Sequence, residues 1–181
     1  MAAGAPPATL DEVRRLFAVS LILAVSLILV VLGCAGEREN ATVDRVLDGD
    51  TIVLRDGRHV RLVQLDAPEI DENECYAREA KALLARLLPR GTRVEIETDA
   101  LLDKVDRFGR TLAYVRRDGV NINLELVRAG AAAPWFFHGD RGRYASDFLA
   151  AARQARERRR GLWAACPGTT LAPLLSVDAR R

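Results

Sequence analysis

Residues 41–69 read ATVDRVLDGDTIVLRDGRHVRLVQLDAPE, and this stretch decides the fold. From Ala41 the chain alternates through Val43, Arg45 and Leu47, breaks at Asp48-Gly49, and resumes with Thr51, Ile52, Val53 and Leu54. It breaks again at Asp56-Gly57 before Val60, Leu62 and Leu65. A period of two marks a strand with one buried face. Asp-Gly pairs supply the positive backbone angles that tight hairpin turns require. Three strands joined by two such turns make a β-meander.

Downstream the period changes. Ala77, Ala80, Leu83, Leu84, Leu87 and Leu88 recur at helical spacing, which predicts a helix over 74–88 stopped by Pro89 and Gly91. Alternation returns over 92–98 (Val94, Ile96) and 110–116 (Leu112, Tyr114), giving a fourth and a fifth strand, the latter turning at Asp118-Gly119. A short helix over 121–129 closed by Gly130 and a longer one over 144–160 ending at Gly161 complete the pattern. The expected fold class is α+β, mainly β: a five-stranded OB-fold barrel with three helices, spanning 41–166. Residues 167–181 lack periodicity and are expected to form a flexible tail.

Upstream, Arg14 and Arg15 precede an apolar run from Leu16 to Leu32 that ends at Gly33-Cys34. A basic segment followed by an apolar one is the layout of a secretory signal. The run sits at the bottom of the bilayer-spanning range, roughly 17–25 residues. Val31-Leu32-Gly33-Cys34 resembles a bacterial lipobox, with Cys34 as the lipidated residue, although Leu32 is larger than usual there. Lipoprotein, uncleaved anchor and free secretion remain the alternatives, and all three export the domain. Residues 1–33 are thus read as signal or anchor and 34–40 as a short polar linker. Removal of 1–33 takes Asp11 and Glu12 with Arg14 and Arg15, and apart from Cys34 leaves Cys75 and Cys166. An even pair in an exported domain reads as a disulfide, with two separate buried thiols as the alternative. Neither has a partner at zinc-ligand spacing.

The chain carries a net charge of only +2, with 29% charged residues. That balance does not argue for a nucleic-acid partner, so the case rests on where particular side chains fall. The arginine run Arg153, Arg156, Arg158, Arg159 and Arg160 is read as a solvated helix face whose last turn complements the helix dipole. Three clusters carry chemistry: Asp48-Gly49-Asp50-Thr51 in a turn, Arg61 to Glu69 at the end of the third strand, and Asp106-Arg107-Phe108-Gly109-Arg110 before the fifth. Carboxylates for a hard cation and arginines for a phosphate are what phosphoryl chemistry needs.

Taken in order, these clusters with Leu126-Val127-Arg128-Ala129-Gly130 and Gly161-Leu162-Trp163 resemble the staphylococcal thermonuclease family from Ala41 to Trp163. The resemblance implies an OB-fold and a Ca²⁺-dependent phosphodiesterase cutting DNA and RNA to 3′-phosphate products. It implies that Asp50, Asp66 and the carbonyl of Ala67 hold Ca²⁺. Glu69 would orient or deprotonate water, Arg61 and Arg110 would hold the phosphate, and Asp48 would orient the calcium ligands or water. Phe108, Phe136 and His138 stand where the family has tyrosines flanking the nucleotide, so rings remain but two phenol hydroxyls are lost, with ordinary barrel packing of the two phenylalanines and a solvated loop histidine as the alternatives. His59, beside a turn, is expected to be an exposed strand residue. A monomer is expected.

Strict alternation puts Arg61 and Asp66 on opposite faces of one strand. They can share a site only if the chain bends or bulges between them, which predicts an irregularity around Val63 to Leu65. The competing readings are a binding module without catalysis and a structural envelope lipoprotein. The complete set Asp50, Arg61, Asp66, Glu69 and Arg110 favours the enzyme.

Overall fold

The computed structural model describes residues 37–175. Cys34 and the apolar run before it lie outside the described residues. The meander forms as the alternation requires: β1 (Arg38–Val46), β2 (Thr51–Leu54) and β3 (His59–Leu62) pair antiparallel in sequence. β1 begins inside the stretch expected as linker, because Arg38, Glu39 and Asn40 pair with Glu97, Ile96 and Glu95. That correction moves the domain boundary three residues upstream.

Strand β4 (Leu65–Asp66) follows β3 after a turn, and β5 (Arg93–Glu97) pairs with the first half of β1. β1 shifts register between Val43 and Arg45, where it passes from β5 to β2. Such an extra residue bends a strand, as a closed sheet requires at a corner. β6 (Thr111–Arg117) pairs antiparallel with β5 and parallel with β3, Val60 opposite Thr111 and Leu62 opposite Ala113. This last ladder closes the five strands β3-β2-β1-β5-β6 into the expected barrel. β7 (Val120–Asn121) extends β6, and β8 (Ala133–Pro134) pairs with β4 in a separate ladder.

The three expected helices form, each with its own stop. α1 (Ala77–Leu87) starts later than Glu74, because Tyr76 adopts a left-handed φ of 73°. α2 (Ile122–Ala129) is capped by the Asn121 side chain, which accepts from Leu124 N–H, and closed by Gly130. α3 (Ala145–Glu157) buries Ala151, Ala152 and Ala155 and exposes Arg153 and Arg156, as an amphipathic helix should. It ends before the expected 160: Arg158, Arg159 and Arg160 are exposed in the turn beyond it, where Arg159 takes a left-handed φ of 48°. A fourth, α4 (Leu162–Ala165), adds one helix to those expected. Val43, Ile52, Leu54, Val60, Leu62, Val94, Ile96, Ala113 and Val115 form one core with Leu84, Leu126 and Phe148 of the helices.

Cys75 and Cys166 form a disulfide with Cα atoms 5.8 Å apart, tying the segment before α1 to the end of α4. Residues 167–175 form no helix or strand. They are nevertheless held to the domain: Leu171 packs against the core, and the Pro173 carbonyl accepts from Phe136 N–H at 2.7 Å.

Candidate active site

The Asp-Gly-Asp turn between β1 and β2 lies against α1. A Cβ on Gly49 would fall 2.5 Å from Ala67 Cβ and 3.0 Å from Ala80 Cβ. Only glycine lets the turn approach so closely, and that approach brings Asp48 and Asp50 to Asp66 and Ala67. Asp48 Oδ1 accepts from Asp50 N–H at 2.9 Å, and Thr51 Oγ1 donates to Asp50 Oδ1 at 2.9 Å. Asp50 is fully enclosed, at 3% exposure.

The irregularity expected between Arg61 and Asp66 is present. β3 ends at Leu62, and Val63 and Gln64 turn, with Gln64 at φ 64°, before β4 begins at Leu65. The turn returns Asp66 to the side of the strand that carries Arg61. Arg61 Nη2 lies 2.7 Å from Asp66 Oδ1 and 3.0 Å from Asp50 Oδ2. Its Nη1 donates to the Leu65 carbonyl at 3.2 Å, and its guanidinium sits 5.0 Å over the Trp135 ring. Buried Asn123 secures the turn: its Nδ2 donates to the Val63 and Ala113 carbonyls and its Oδ1 accepts from Val115 N–H.

Electrostatics reflect this crowding. Burial opposes the charge on Arg61, but Asp50, Asp66, Glu69 and Asp48 together hold its pKa above the ordinary arginine value. Burial first, and then Asp50, raise the Asp48 carboxyl. Glu69 is pushed up to about 7, by desolvation first and then by Asp50, Asp48 and Asp66, with Arg61 pulling the other way. Glu69 stands on the loop after β4, with its side chain toward solvent. Its N–H donates to Glu74 Oε2 at 2.8 Å, and its carbonyl accepts from Glu74 N–H at 3.0 Å.

Arg110 stands in the loop just before β6. Its Nε donates to Asp106 Oδ2 at 2.7 Å, while Asp106 Oδ1 accepts from the N–H groups of Phe108 and Arg110. Partial burial opposes ionisation of Asp106, yet those hydrogen bonds hold its pKa below the usual carboxylate range. Arg110 thus sits one residue before Thr111, which pairs with Val60, the neighbour of Arg61. Its ion-pair partner, Asp106, lies in its own loop.

The aromatic residues divide. Phe108 is 69% exposed, with Arg110 5.4 Å from its ring centre. His138 is exposed and stacks on Phe137 at 3.9 Å. Phe136, expected to flank the nucleotide, is instead 1% exposed and belongs to the interior, so it offers no stacking face. The exposed rings of this segment are its neighbours: Phe137, 5.5 Å edge-on from Trp135, and half-buried Trp135 itself. The backbone after β8 is irregular, and periodicity could not have said which of three consecutive rings turns inward. His59 is exposed at the start of β3, as expected.

Among the described residues, no three His, Cys, Asp or Glu side chains form a ready metal cage. The donor set still fits a calcium-like ion, which completes its shell from carbonyls, waters and substrate. All candidate donors are oxygens, and the buried Asp50 Oδ2 has no hydrogen bond despite its proximity to Arg61. A cation there would give that atom a partner besides Arg61 and offset the carboxylate repulsion that, after burial, raises Asp48 and Glu69. A cavity of about 800 Å³ lies elsewhere, lined by Ile70, Glu74, Tyr76 and the Cys75–Cys166 disulfide.

A closed five-stranded barrel with an arginine–carboxylate cluster at the β3–β4 turn defines an OB-fold protein equipped for phosphate chemistry. The chain belongs to the staphylococcal nuclease homologue family, which it matches over residues 59–165. It is 38% identical over 127 residues to an "Uncharacterized endonuclease" of Escherichia coli O157:H7, covering 67% of this chain and 74% of that protein. Endonuclease YncB of Bacillus subtilis (strain 168) is 31% identical over 131 residues, 68% of this chain and 61% of the relative. Endonuclease YhcR of the same strain is 34% identical over 143 residues, 71% of this chain but only 12% of that much longer protein.

Proposed function

We propose that the protein is a Ca²⁺-dependent endonuclease that hydrolyses phosphodiesters of DNA and RNA outside the cell membrane. The observation that carries the reading is Arg61, buried between Asp50 and Asp66 and electrostatically coupled to Glu69. Family membership and relatives named endonuclease support the same reaction class.

A phosphodiester resists attack because its own negative charge repels the nucleophile. Arg61 is held in place by two carboxylates and two carbonyls, and a phosphate would take over its Nη2 side as Asp50 and Asp66 turn to the cation, leaving the guanidinium where it stands. Arg110, steadied through Nε by Asp106, presents the rest of its guanidinium to the same anion. Both arginines act most strongly where charge accumulates, at the pentacoordinate transition state. Glu69 accepts a proton from the attacking water as the oxygen–phosphorus bond forms. Its carboxyl, raised toward neutral, is suited to taking a proton near physiological pH. The P–O5′ bond then breaks and the departing oxygen takes a proton from solvent, giving a 5′-hydroxyl and the 3′-phosphate that the thermonuclease likeness implies. Ca²⁺, held by Asp50, Asp66 and the Ala67 carbonyl, would supply positive charge beside the scissile phosphate. Asp48 holds the Asp50 backbone and so the direction of its carboxylate. Phe108, Phe137 and His138 offer exposed rings to bases.

Export follows from the residues before Gly33 and includes Cys34 as the anchor. It is tested by radiolabelled palmitate incorporation and protease accessibility in intact cells. For the enzyme, full-length protein is incubated with single-stranded DNA or RNA in Ca²⁺ or in EGTA. Cleavage of both polymers in Ca²⁺ and none in EGTA is expected. Cleavage indifferent to EGTA would overturn the calcium site, and no cleavage in either would overturn the activity.

A further inference from the structure

Gln64 is the residue of the β3–β4 turn with the left-handed φ of 64°, a conformation that glycine holds without penalty. A glutamine placed there is doing something that glycine could not. Its side chain is buried, at 6% exposure. Nε2 donates to the Asp140 carbonyl at 3.0 Å, and Oε1 accepts from Gly142 N–H at 2.8 Å. One partner is an acceptor and the other a donor, so the amide orientation is fixed by the network itself. Its own backbone carbonyl accepts from Trp135 N–H at 3.2 Å. Three polar groups of one residue thus reach the segment from Trp135 to Gly142.

That segment carries the exposed rings. Trp135 lies under the Arg61 guanidinium, Phe137 packs edge-on to Trp135, and His138 stacks on Phe137. The rings form a path from the buried arginine to the surface. Its far end is held independently: Asp99 Oδ2 accepts from Arg143 N–H at 2.7 Å, and Arg143 Nη1 donates to buried Glu97 at 2.6 Å. Gly142 fits there because a Cβ would meet Tyr114 Oη at 2.3 Å and Asp99 Oδ2 at 2.7 Å. Between Trp135 and that anchor, the side-chain hydrogen bonds to the loop backbone come from Gln64.

We propose that Gln64 is a positioning residue that sets the stance of the Trp135–His138 rings against the catalytic turn, and with it affinity for single-stranded polynucleotide. Unpaired bases can stack on such rings, whereas bases in a duplex are already stacked. The proposal rests on the nuclease reading and adds the element that selects strand form. Gln64 touches no reacting atom; its effect passes through the loop.

The test compares full-length wild type with Gln64→Gly, which removes the clamp while keeping the backbone conformation allowed. Steady-state cleavage of a single-stranded oligothymidylate is measured beside a blunt duplex. The expected result is a KM for the single strand raised about tenfold, on the order of two lost hydrogen bonds. Its kcat stays within about twofold and the duplex KM is unchanged. Gln64→Leu, which keeps bulk and the left-handed backbone but loses both side-chain bonds, gives the same split. A single-strand KM unchanged in both variants overturns the proposal. A fall in kcat with KM constant also overturns it, because Gln64 would then act on the carboxylates. Iodide quenching of Trp135 in a Trp163→Phe background reads the clamp without catalysis: quenching rises in Gln64→Gly if the clamp holds the loop and stays the same if it does not. A wild type that cuts nothing removes the nuclease reading, and the quenching comparison still decides the clamp.

Discussion

Breaking the Cys75–Cys166 disulfide should cost much of the domain's stability and, separately, part of its activity. The bond spans a sequence separation of 91 residues. For a loop of that length, loop-closure entropy gives roughly 4–5 kcal/mol at 25 °C. Typical domains are stable by about 5–15 kcal/mol, so the bond supplies a large fraction of the total. For a domain of this size the same change moves Tm by roughly 10–15 °C. The functional part is local. Cys75 follows Glu74, whose carboxylate and N–H grip the backbone of Glu69. Releasing Cys75 frees that grip while Asp50, Arg61 and Asp66 keep theirs, so kcat should fall and the affinity for nucleic acid should not. The assay is urea unfolding of the oxidised protein, the TCEP-reduced protein and the Cys75→Ser/Cys166→Ser variant, each also assayed for cleavage. Reduction without substitution separates the bond from the cost of placing serine at the buried Cys166. Unfolding free energies that agree within about 1 kcal/mol would refute the reasoning, since removing a native disulfide from a small domain typically costs about 2–5 kcal/mol.

Other expectations follow from the site. Glu69→Gln and Arg110→Ala should each lower kcat by about 10²–10⁴-fold with little change in the urea midpoint; near wild-type turnover in either would exclude the assigned role. In EDTA, Glu69 carries a folded pKa of about 7 against an ordinary 4.5. The folded state therefore binds the extra proton between those values, and stability falls as pH rises through the window. Because Glu69 reaches solvent, the loss is discounted to about 1 kcal/mol, and unfolding at pH 5 and pH 8 should show it in wild type but not in Glu69→Gln. Gly49→Ala forces its Cβ against Ala67 Cβ at 2.5 Å; a destabilisation of about 1–3 kcal/mol with weaker Ca²⁺ binding by calorimetry is expected.

The barrel was legible because its first three strands are set off by Asp48-Gly49 and Asp56-Gly57, and because the third runs into residues that demand a bend. Yet β2 is buried at every position, and of the two glycines only Gly57 takes the positive φ expected of a tight hairpin turn. The conflict between Arg61 and Asp66 on one strand pointed to a turn, and the turn is there at Val63 and Gln64. Residues 38–40 were not legible as strand: Arg38, Glu39 and Asn40 bring no apolar face, and only pairing with β5 and the ion pair to buried Glu97 recruit them. Asn123 and Gln64 were silent for a related reason. Their amides satisfy backbone groups far away in the chain, and no local spacing encodes such partners. The inward turn of Phe136 was equally hidden, since it depends on how the segment after β8 is tied to Pro173 and Gln64. Tertiary hydrogen bonds decided these cases.

The parallel ladder between β3 and β6 has a consequence in time. α1 and β5 lie between those strands in the chain, so their pairing must wait for a long loop to close, at an entropic cost that local hairpins do not bear. The β1–β2–β3 meander can form early; the seam to β6 belongs to the slow, non-local class of contacts that governs folding rates. Arg61 stands on β3, and Arg110 lies in the loop that runs directly into β6 at this seam. The two arginines proposed to hold the phosphate therefore take their places only with the last stitch of the barrel, and a refolding chain should regain its hairpins well before any activity.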